Sequence, residues 1–325
     1  MAQTVFIDGE AGTTGLQIRQ RLERRSDLEI VSIDPARRKD ADARAELLNG
    51  ADAVVLCLPD DAAREAVSLV TSNSVRIVDA STAHRTAPDW AYGFAEMGPG
   101  QRAAIAGSTR VANPGCYPTG FIGLVRPLVA AGLVPPDFPL TVNAVSGYSG
   151  GGKGLIAEFE GPAPGGANDA FRAYGLTLAH KHLPEMQQHA GLKHPPVFAP
   201  AVGRYAQGMI VEVPLQLWAL PGKPDPGDLH VALEAAYAGE PFVEVASGPE
   251  CAELGKLRAG AAGYVAALDP EGLNGTNRMK LFVFANAERT QARLIAILDN
   301  LGKGAAGAAV QNLNLMLGLE EGAGL

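Results

Sequence analysis

The chain is short of cysteine, of aromatic side chains and of long apolar runs, and each shortage excludes something. Three cysteines in 325 residues, Cys57, Cys116 and Cys251, are an odd number with no CxxC pair. That excludes a disulfide framework and a cysteine-rich zinc site, and the thiols are expected to be reduced. Stretches such as AVVLCLP (53–59) are broken by charge, glycine or proline long before the roughly 18 apolar residues of a membrane span. Aromatics make up 6%, and acid exceeds base to give a formal net charge of −8. This balance argues against nucleic acid or an anionic membrane as a general partner, while a local basic pocket for a small anion stays open. The 39 glycines and 23 prolines gather into no low-complexity tract or fixed-period repeat. The opening MAQTVFIDG runs straight into a strand pattern without a basic-then-apolar leader, so a cytoplasmic location is expected.

What is present begins with 47% hydrophobic residues, enough at this length for a sizeable core in one or two domains. TVFID (4–8), EIVSI (29–33), AVVLCL (53–58) and VRIVDA (75–80) alternate with helical patterns, which predicts a parallel sheet covered on both faces. The first strand runs into GEAGTTG, with Gly9, Gly12 and Gly15 spaced GxxGxxG before a helix expected at about 13–25. There, with Thr13 and Thr14, backbone amides at a helix N-terminus can receive a pyrophosphate. Asp34 stands where an acid binds a ribose 2′-hydroxyl, as in NAD binding, but Arg37, Arg38 and Lys39 follow at once and suit a 2′-phosphate. Three cations outweigh one acid and favour NADP(H) as cofactor; a solvated basic turn is the plain alternative. Ser81, in STAHR after the fourth strand, falls on the edge expected to face the cofactor.

Cys116 follows Asn113-Pro114-Gly115 and opens an amphipathic helical pattern. A thiol at a helix N-terminus is favoured as thiolate, whereas Cys57 inside an apolar strand reads as packing and Cys251 as incidental. A nucleophile needs a base, and of six histidines His180 and His182 flank Lys181 in LAHKHLPEM. No third and fourth ligand with suitable spacing accompanies the pair, so no metal site is expected and a catalytic imidazole is the simpler reading. Asn113 orients the cysteine turn, helps an oxyanion, or is a turn residue before proline. Ser146, Ser149, Gly150 and Lys153 lie in SGYSGGGK (146–153), a loop fit for a phosphate or a plain hairpin. Arg85 and Arg110 are anion-binding candidates or surface cations, and Glu185 orients a histidine or caps the helix after Pro184.

PLTVNAVSG (139–147), GMIVEVPLQLW (208–218), GYVAAL (263–268) and MKLFVFAN (279–286) are strand-like, with a helix around 227–239. The tail RTQARLIAILDNLGKGAAGAAVQNLNLMLG reads as a helix, a glycine-rich break and a second helix. The fold expected is α/β: a Rossmann-type domain at 1–115 completed by about 287–325, and an α+β catalytic domain with a mixed or antiparallel sheet at 116–286. A sheet face left uncovered suggests a homodimer or homotetramer.

GEAGTTG, VANPGCYPTG, SGYSGGGK, HKHLPEM and DNLGKGAAGAAVQNLNLM (299–316) together resemble the short-type N-acetyl-gamma-glutamyl-phosphate reductases, from Gly9 to Met316. That family is similar in fold to aspartate-semialdehyde and glyceraldehyde-phosphate dehydrogenases. The resemblance implies NADPH-dependent reduction of N-acetyl-L-glutamyl 5-phosphate to the 5-semialdehyde and phosphate, a step of arginine biosynthesis, through a thioester on Cys116. It also implies an acid–base histidine from the HxHxPE segment, His180 ahead of His182, and Asn312 directed at the nicotinamide amide. Ser149 and Gly150 are then expected on the cofactor, and Arg85, Arg110, Ser146, Lys153 and Glu185 on the substrate. Two rivals stand beside it: an aspartate-semialdehyde dehydrogenase-like acyl-phosphate reductase, and a nucleotide-binding regulator without turnover.

Overall fold

The computed structural model describes residues 2–161, 169–256 and 268–325. It divides into two compact units, Met1–Gly115 with Ala305–Leu325, and Cys116–Gly304. In the first unit β1 (Gln3–Asp8), α1 (Thr13–Leu22), β2 (Leu28–Val31), α2 (Ala41–Gly50), β3 (Ala53–Leu56), α3 (Asp60–Leu69), β4 (Arg76–Asp79), β5 (Ala91–Tyr92), α4 (Gln101–Gly107) and β6 (Arg110–Ala112) follow one another. The strands form one sheet in the order β2-β1-β3-β4-β6-β5, every pairing parallel. Period-two alternation sends Phe6, Val54 and Ile77 to one face, against Leu48, Ala63 and Ala66. Val5, Ile7, Val55 and Val78 face the other way, against Ile18 and Leu22. Both faces being buried explains why these strands read as continuous Val/Ile runs.

The second unit contains α5 (Cys116–Ala130), β7 (Thr141–Gly147), α6 (Gly152–Glu160), β8 (Phe171–Ala173), α7 (Leu183–Ala190), β9 (Val197–Gly203), β10 (Met209–Gln216), α8 (Pro226–Tyr237), β11 (Val243–Val245), α9 (Gly248–Leu254), β12 (Met279–Ala285) and β13 (Gln291–Leu298). Its sheet runs β11-β12-β13-β10-β7-β9-β8 and is mixed, parallel at β11/β12 and β7/β9 and antiparallel elsewhere. α5 lies on one face, so close that a Cβ on Gly120 would meet Val211 at 2.8 Å and one on Gly123 would meet Met279 at 2.6 Å. On the other face Phe282, Ile295 and Ile297 are covered by Ala246 and Cys251. Further along the strands the same face stays open, with Glu212 paired to Arg293, Trp218 60% exposed, and a groove of about 880 Å³ between Phe138 and Phe284.

The tail departs from expectation. Residues 291–298, read as the first of two tail helices, are β13, paired along its length with β10 and β12. ARLIAIL is apolar enough to be buried on both faces of a central strand, and such a run has no period to separate helix from strand. The chain therefore returns to the first unit at Ala305, not at about 287, and residues 287–304 belong to the second sheet's unit. A π-helical turn at Gly302–Ala306 leads into α10 (Gly307–Leu317), whose Ala309, Val310, Leu313 and Met316 join the Ile18–Leu22 cluster. The expected strand at 263–268 falls, except for Leu268, outside the described residues. β9 escaped notice because Pro195, Pro196 and Pro200 break its pattern.

Candidate active site

In the first unit the loop after β1 is shaped by its glycines. Gly9 takes φ +90, and a Cβ there would lie 2.4 Å from the Cys57 carbonyl oxygen. A Cβ on Gly15 would lie 2.6 Å from the Gly9 oxygen, so the turn closes only without side chains. Gly12 is the N-cap of α1 and offers no side-chain cap, and the buried Thr13 hydroxyl makes no hydrogen bond. An uncapped helix start with a polar hydroxyl in reserve fits a pyrophosphate. Across the same sheet Asn312 donates from Nδ2 to the Gly93 carbonyl (2.8 Å) and the Asn113 side-chain oxygen (3.0 Å). Its own Oδ1 is buried and unbonded, an acceptor suited to a carboxamide N–H such as that of nicotinamide. The residues present therefore fit a dinucleotide at both ends.

The cations and acid beyond β2 sort unequally. Asp34 turns its carboxylate into its own turn, accepting from the Ala36 amide at 2.8 Å, and Arg37 reaches Asp40 at 3.2 Å. Arg38 and Lys39 are exposed.

At the end of β4 the fully buried Asp79 organises the next loop. It accepts from the Ser81 amide (2.9 Å) and hydroxyl (2.7 Å) and holds His84 Nδ1 at 2.6 Å, while the His84 ring stacks on Trp90 at 4.1 Å. Arg85, buried, then donates to the carbonyls of Asn113 (2.9 Å) and Ala80 (3.2 Å). Asn113 Nδ2 donates to the Ala305 carbonyl at 3.0 Å. Ser81, Arg85, Asn113 and Asn312 thus converge on the turn whose next residues in the chain are Gly115 and Cys116. Arg110 does not join them. It donates to the carbonyls of Val75 and Thr109 at the amino ends of the parallel strands, the opposite edge. Burial holds its guanidinium somewhat below its ordinary value, with Asp89 acting the other way.

In the second unit Cys116 is the first residue of α5. Tyr117 beside it donates to the Ala201 carbonyl (3.2 Å) and accepts from Tyr174 (3.1 Å). Burial is the first cause that raises both phenols, Tyr174 to about 12, and negative charge on Cys116 is a further one. The Tyr117 ring meets His180 at 6.3 Å and His182 at 6.0 Å, and His180 is boxed by Tyr174 and Phe198. His180 Nδ1 accepts the His182 amide at 3.1 Å, so the neutral ring carries its proton on Nε2. Burial, then Lys181, lowers the His180 imidazole below its ordinary value and keeps it neutral. His182 is buried as the N-cap of α7, and Glu185, also buried, stands in that helix's first turn after Pro184.

The SGYSGGGK loop is less open than its composition suggests. The amides of Gly147, Tyr148 and Ser149 are spent on the carbonyls of Gly208, Tyr205 and Ala206. Ser146 Oγ donates to the Gly147 carbonyl, Ser149 Oγ accepts from Asn300 at 3.0 Å, and Gly150 packs beside both Asn300 and Ser146. Gly150, Gly151 and, at the start of α6, Lys153 are exposed. Of the other thiols, Cys57 is pushed up to about 12, by burial first and then by Asp79 and Asp8, and burial raises Cys251. Sequence reasoning passed over Tyr117, Tyr174 and Asp79. Tyr117 could have been found from its place next to Cys116, whereas Tyr174 carries no local signal.

Comparison with known proteins identifies the family of the chain. Residues 4–105 match the family model of the semialdehyde dehydrogenase NAD binding domain and residues 116–300 that of the semialdehyde dehydrogenase dimerisation domain. The chain is 57% identical, over 99% of its length and 98% of the relative's, to an N-acetyl-gamma-glutamyl-phosphate reductase of Trichormus variabilis. It is 55% identical over 98% of its length to that of Mesorhizobium japonicum, whose whole chain is covered. Among solved structures, aspartate semialdehyde dehydrogenase II of Vibrio cholerae in complex with ASA superposes with a TM-score of 0.68 at 14% identity, covering 98% of each chain. That of Candida albicans with NADP superposes at 0.62 and 13%, covering 98% of this chain and 99% of that one. A glycine-cradled nucleotide fold, a cysteine opening α5 and full-length identity above one half lead to one statement: the chain belongs to the N-acetyl-gamma-glutamyl-phosphate reductase family.

Proposed function

We propose that this protein reduces N-acetyl-L-glutamyl 5-phosphate to N-acetyl-L-glutamate 5-semialdehyde and phosphate, with NADP(H) as redox cofactor. The observation that carries the reading is Cys116 as the first residue of α5, at its electropositive start, followed by Tyr117, whose ring meets a neutral His180 at 6.3 Å. The Cys116 thiolate attacks the acyl-phosphate carbonyl; the C–S bond forms, the C–O bond to phosphate breaks, and a thioester remains on the enzyme. His180 donates from Nε2 to the oxyanion of each tetrahedral state, which needs a neutral or protonated ring and a fixed tautomer. When bound, NADPH supplies the hydride that reduces the thioester. The hemithioacetal oxyanion then collapses and expels the Cys116 thiolate, releasing aldehyde.

Gly9, Gly12, Thr13, Thr14 and Gly15 hold the pyrophosphate, and Asn312 Oδ1 takes the carboxamide. Preference for the 2′-phosphate is supported by Asp34 being turned away while Arg38 and Lys39 stay exposed. Arg85 and Asn113 act as positioning residues for the cysteine turn, and Lys153 is the exposed cation nearest in sequence to the substrate loop. No helix among the described residues is long and apolar enough to cross a membrane. We place the enzyme in the cytoplasm as a homodimer or larger homo-oligomer joined through the open sheet face of the second unit, where Trp218 is exposed.

The test is a reverse assay with N-acetylglutamate 5-semialdehyde, phosphate and NADP. Wild type should form NADPH only when phosphate is present, and Cys116→Ser should be silent. Turnover with aspartate semialdehyde in its place would keep the mechanism and replace the substrate, and silence with both aldehydes would leave a nucleotide-binding protein without this activity.

A further inference from the structure

We infer that Glu10 and Arg19, rather than the basic triplet alone, set the choice between a 2′-phosphorylated and a 2′-hydroxyl adenosine; the inference rests on the dinucleotide reading above. In this class of fold the ribose 2′ substituent lies at the carboxyl end of the second strand. The first residue past β2 is Ser32, and its hydroxyl is held from two sides. Arg19, from α1, donates to Ser32 Oγ at 2.7 Å, and Ser32 donates to Glu10 Oε2 at 3.0 Å. Arg19 also pairs with Glu10 directly at 2.5 Å, the two side chains remaining 33% and 27% exposed.

Glu10 sits inside the glycine loop, between Gly9 and Gly12, where a carboxylate opposes any bound phosphate unless a cation neutralises it. The Glu10 carboxylate therefore occupies Nη1 of the guanidinium, whose Nε is held by Glu23 at 2.7 Å, in the way a 2′-phosphate would. A 2′-hydroxyl nucleotide leaves the Arg19–Glu10 pair intact and can donate to Glu10. A 2′-phosphate draws Arg19 into a charge-assisted contact and meets Glu10 as a like charge. Glu10 thus moderates NADPH affinity and Arg19 supplies it, while Asp34 and Arg37 are engaged in their own turn.

The experiment measures binding of 2′,5′-ADP and of 5′-ADP to wild type, Glu10→Gln and Arg19→Gln by calorimetry at low and high salt. Glu10→Gln should bind 2′,5′-ADP about three- to fivefold tighter and Arg19→Gln about tenfold weaker, in keeping with a partly exposed charge pair and one charged phosphate contact. Binding of 5′-ADP should move less than about twofold, and the selective part should shrink at high salt. Parallel shifts for both probes, or an unchanged ratio in both variants, would overturn the inference while leaving the dinucleotide reading standing. Failure of wild type to bind either probe would overturn both.

Discussion

Gly304 is a position where one added methyl group would press directly on Cys116. A Cβ built there lies 2.8 Å from Cys116 Cβ, 3.2 Å from its Cα and 3.1 Å from the Asp299 carbonyl oxygen. Ordinary carbon contacts begin at roughly 3.5 Å, so Gly304→Ala asks Cys116 to retreat by about 0.7 Å. None of the three atoms is the loose end of a side chain, and the Gly304 amide is itself tied to the Asp299 carbonyl at 2.9 Å. Gly304 is not among the residues with positive φ, so the substitution adds bulk without backbone strain. Overpacking of this kind costs about 1–3 kcal/mol, and a misplacement near 1 Å at a reacting atom costs about 100-fold in rate. The reverse assay should therefore show kcat reduced by one to two orders of magnitude, with a modest loss in Tm. The alkylation rate of Cys116 by iodoacetamide should change in the same variant, whereas Gly98→Ala, which meets nothing within 4 Å, should leave all three readings alone. Wild-type turnover and alkylation in Gly304→Ala would refute the packing argument.

Two further outcomes follow from charge. His180 is held below its ordinary value by burial and by Lys181, so the unfolded chain binds its proton more readily. Stability is accordingly lost as pH falls from about 6.5 through the folded value, and Lys181→Met should narrow that window. Proton NMR of the imidazole at a series of pH values reads it directly, and an unchanged titration in the variant would show that Lys181 exerts no field there. Arg44→Met removes the guanidinium that meets Asp8 at 2.9 Å in a nearly covered pair. This should cost about 3 kcal/mol in urea unfolding at pH 7. Burial already raises the Asp8 carboxyl, so the deficit should shrink on acidification as that group is protonated; a pH-independent deficit would point to lost packing instead.

How far these features were legible follows from where each signal lives. GxxGxxG sits on adjacent residues of one turn, and the cysteine and the HxH pair are likewise local, so their positions at α1, α5 and the start of α7 followed from short words of sequence. Parallel strands buried on both faces announced themselves by composition. β13 did not, because ARLIAIL-type apolarity serves a central strand and a buried helix equally, and only pairing with β10 and β12 decides. Arg110 looked close to Cys116 along the chain, but it opens β6 and donates to the Val75 carbonyl, at the end of that strand away from the Asn113 turn. Tyr174 and Glu10 act through partners on other elements, Tyr117 and Arg19, and nothing in their own neighbourhoods marks them.

The discontinuity of the first unit bears on how the protein is made. Ala309, Val310, Leu313 and Met316 complete the apolar cluster around Ile18 and Leu22, and Asn113 reaches the Ala305 carbonyl. A ribosome delivers Met1–Gly115 well before α10, so the nascent nucleotide unit carries an unfinished hydrophobic surface until α10 has emerged. A stop codon ahead of α10 would strip Ala309, Val310, Leu313 and Met316 from the cluster that Ile18 and Leu22 begin. Conversely, Gly115 joined to Ala305 by a short linker would restore contiguity, and the excised unit would then gather its whole core from one uninterrupted polypeptide.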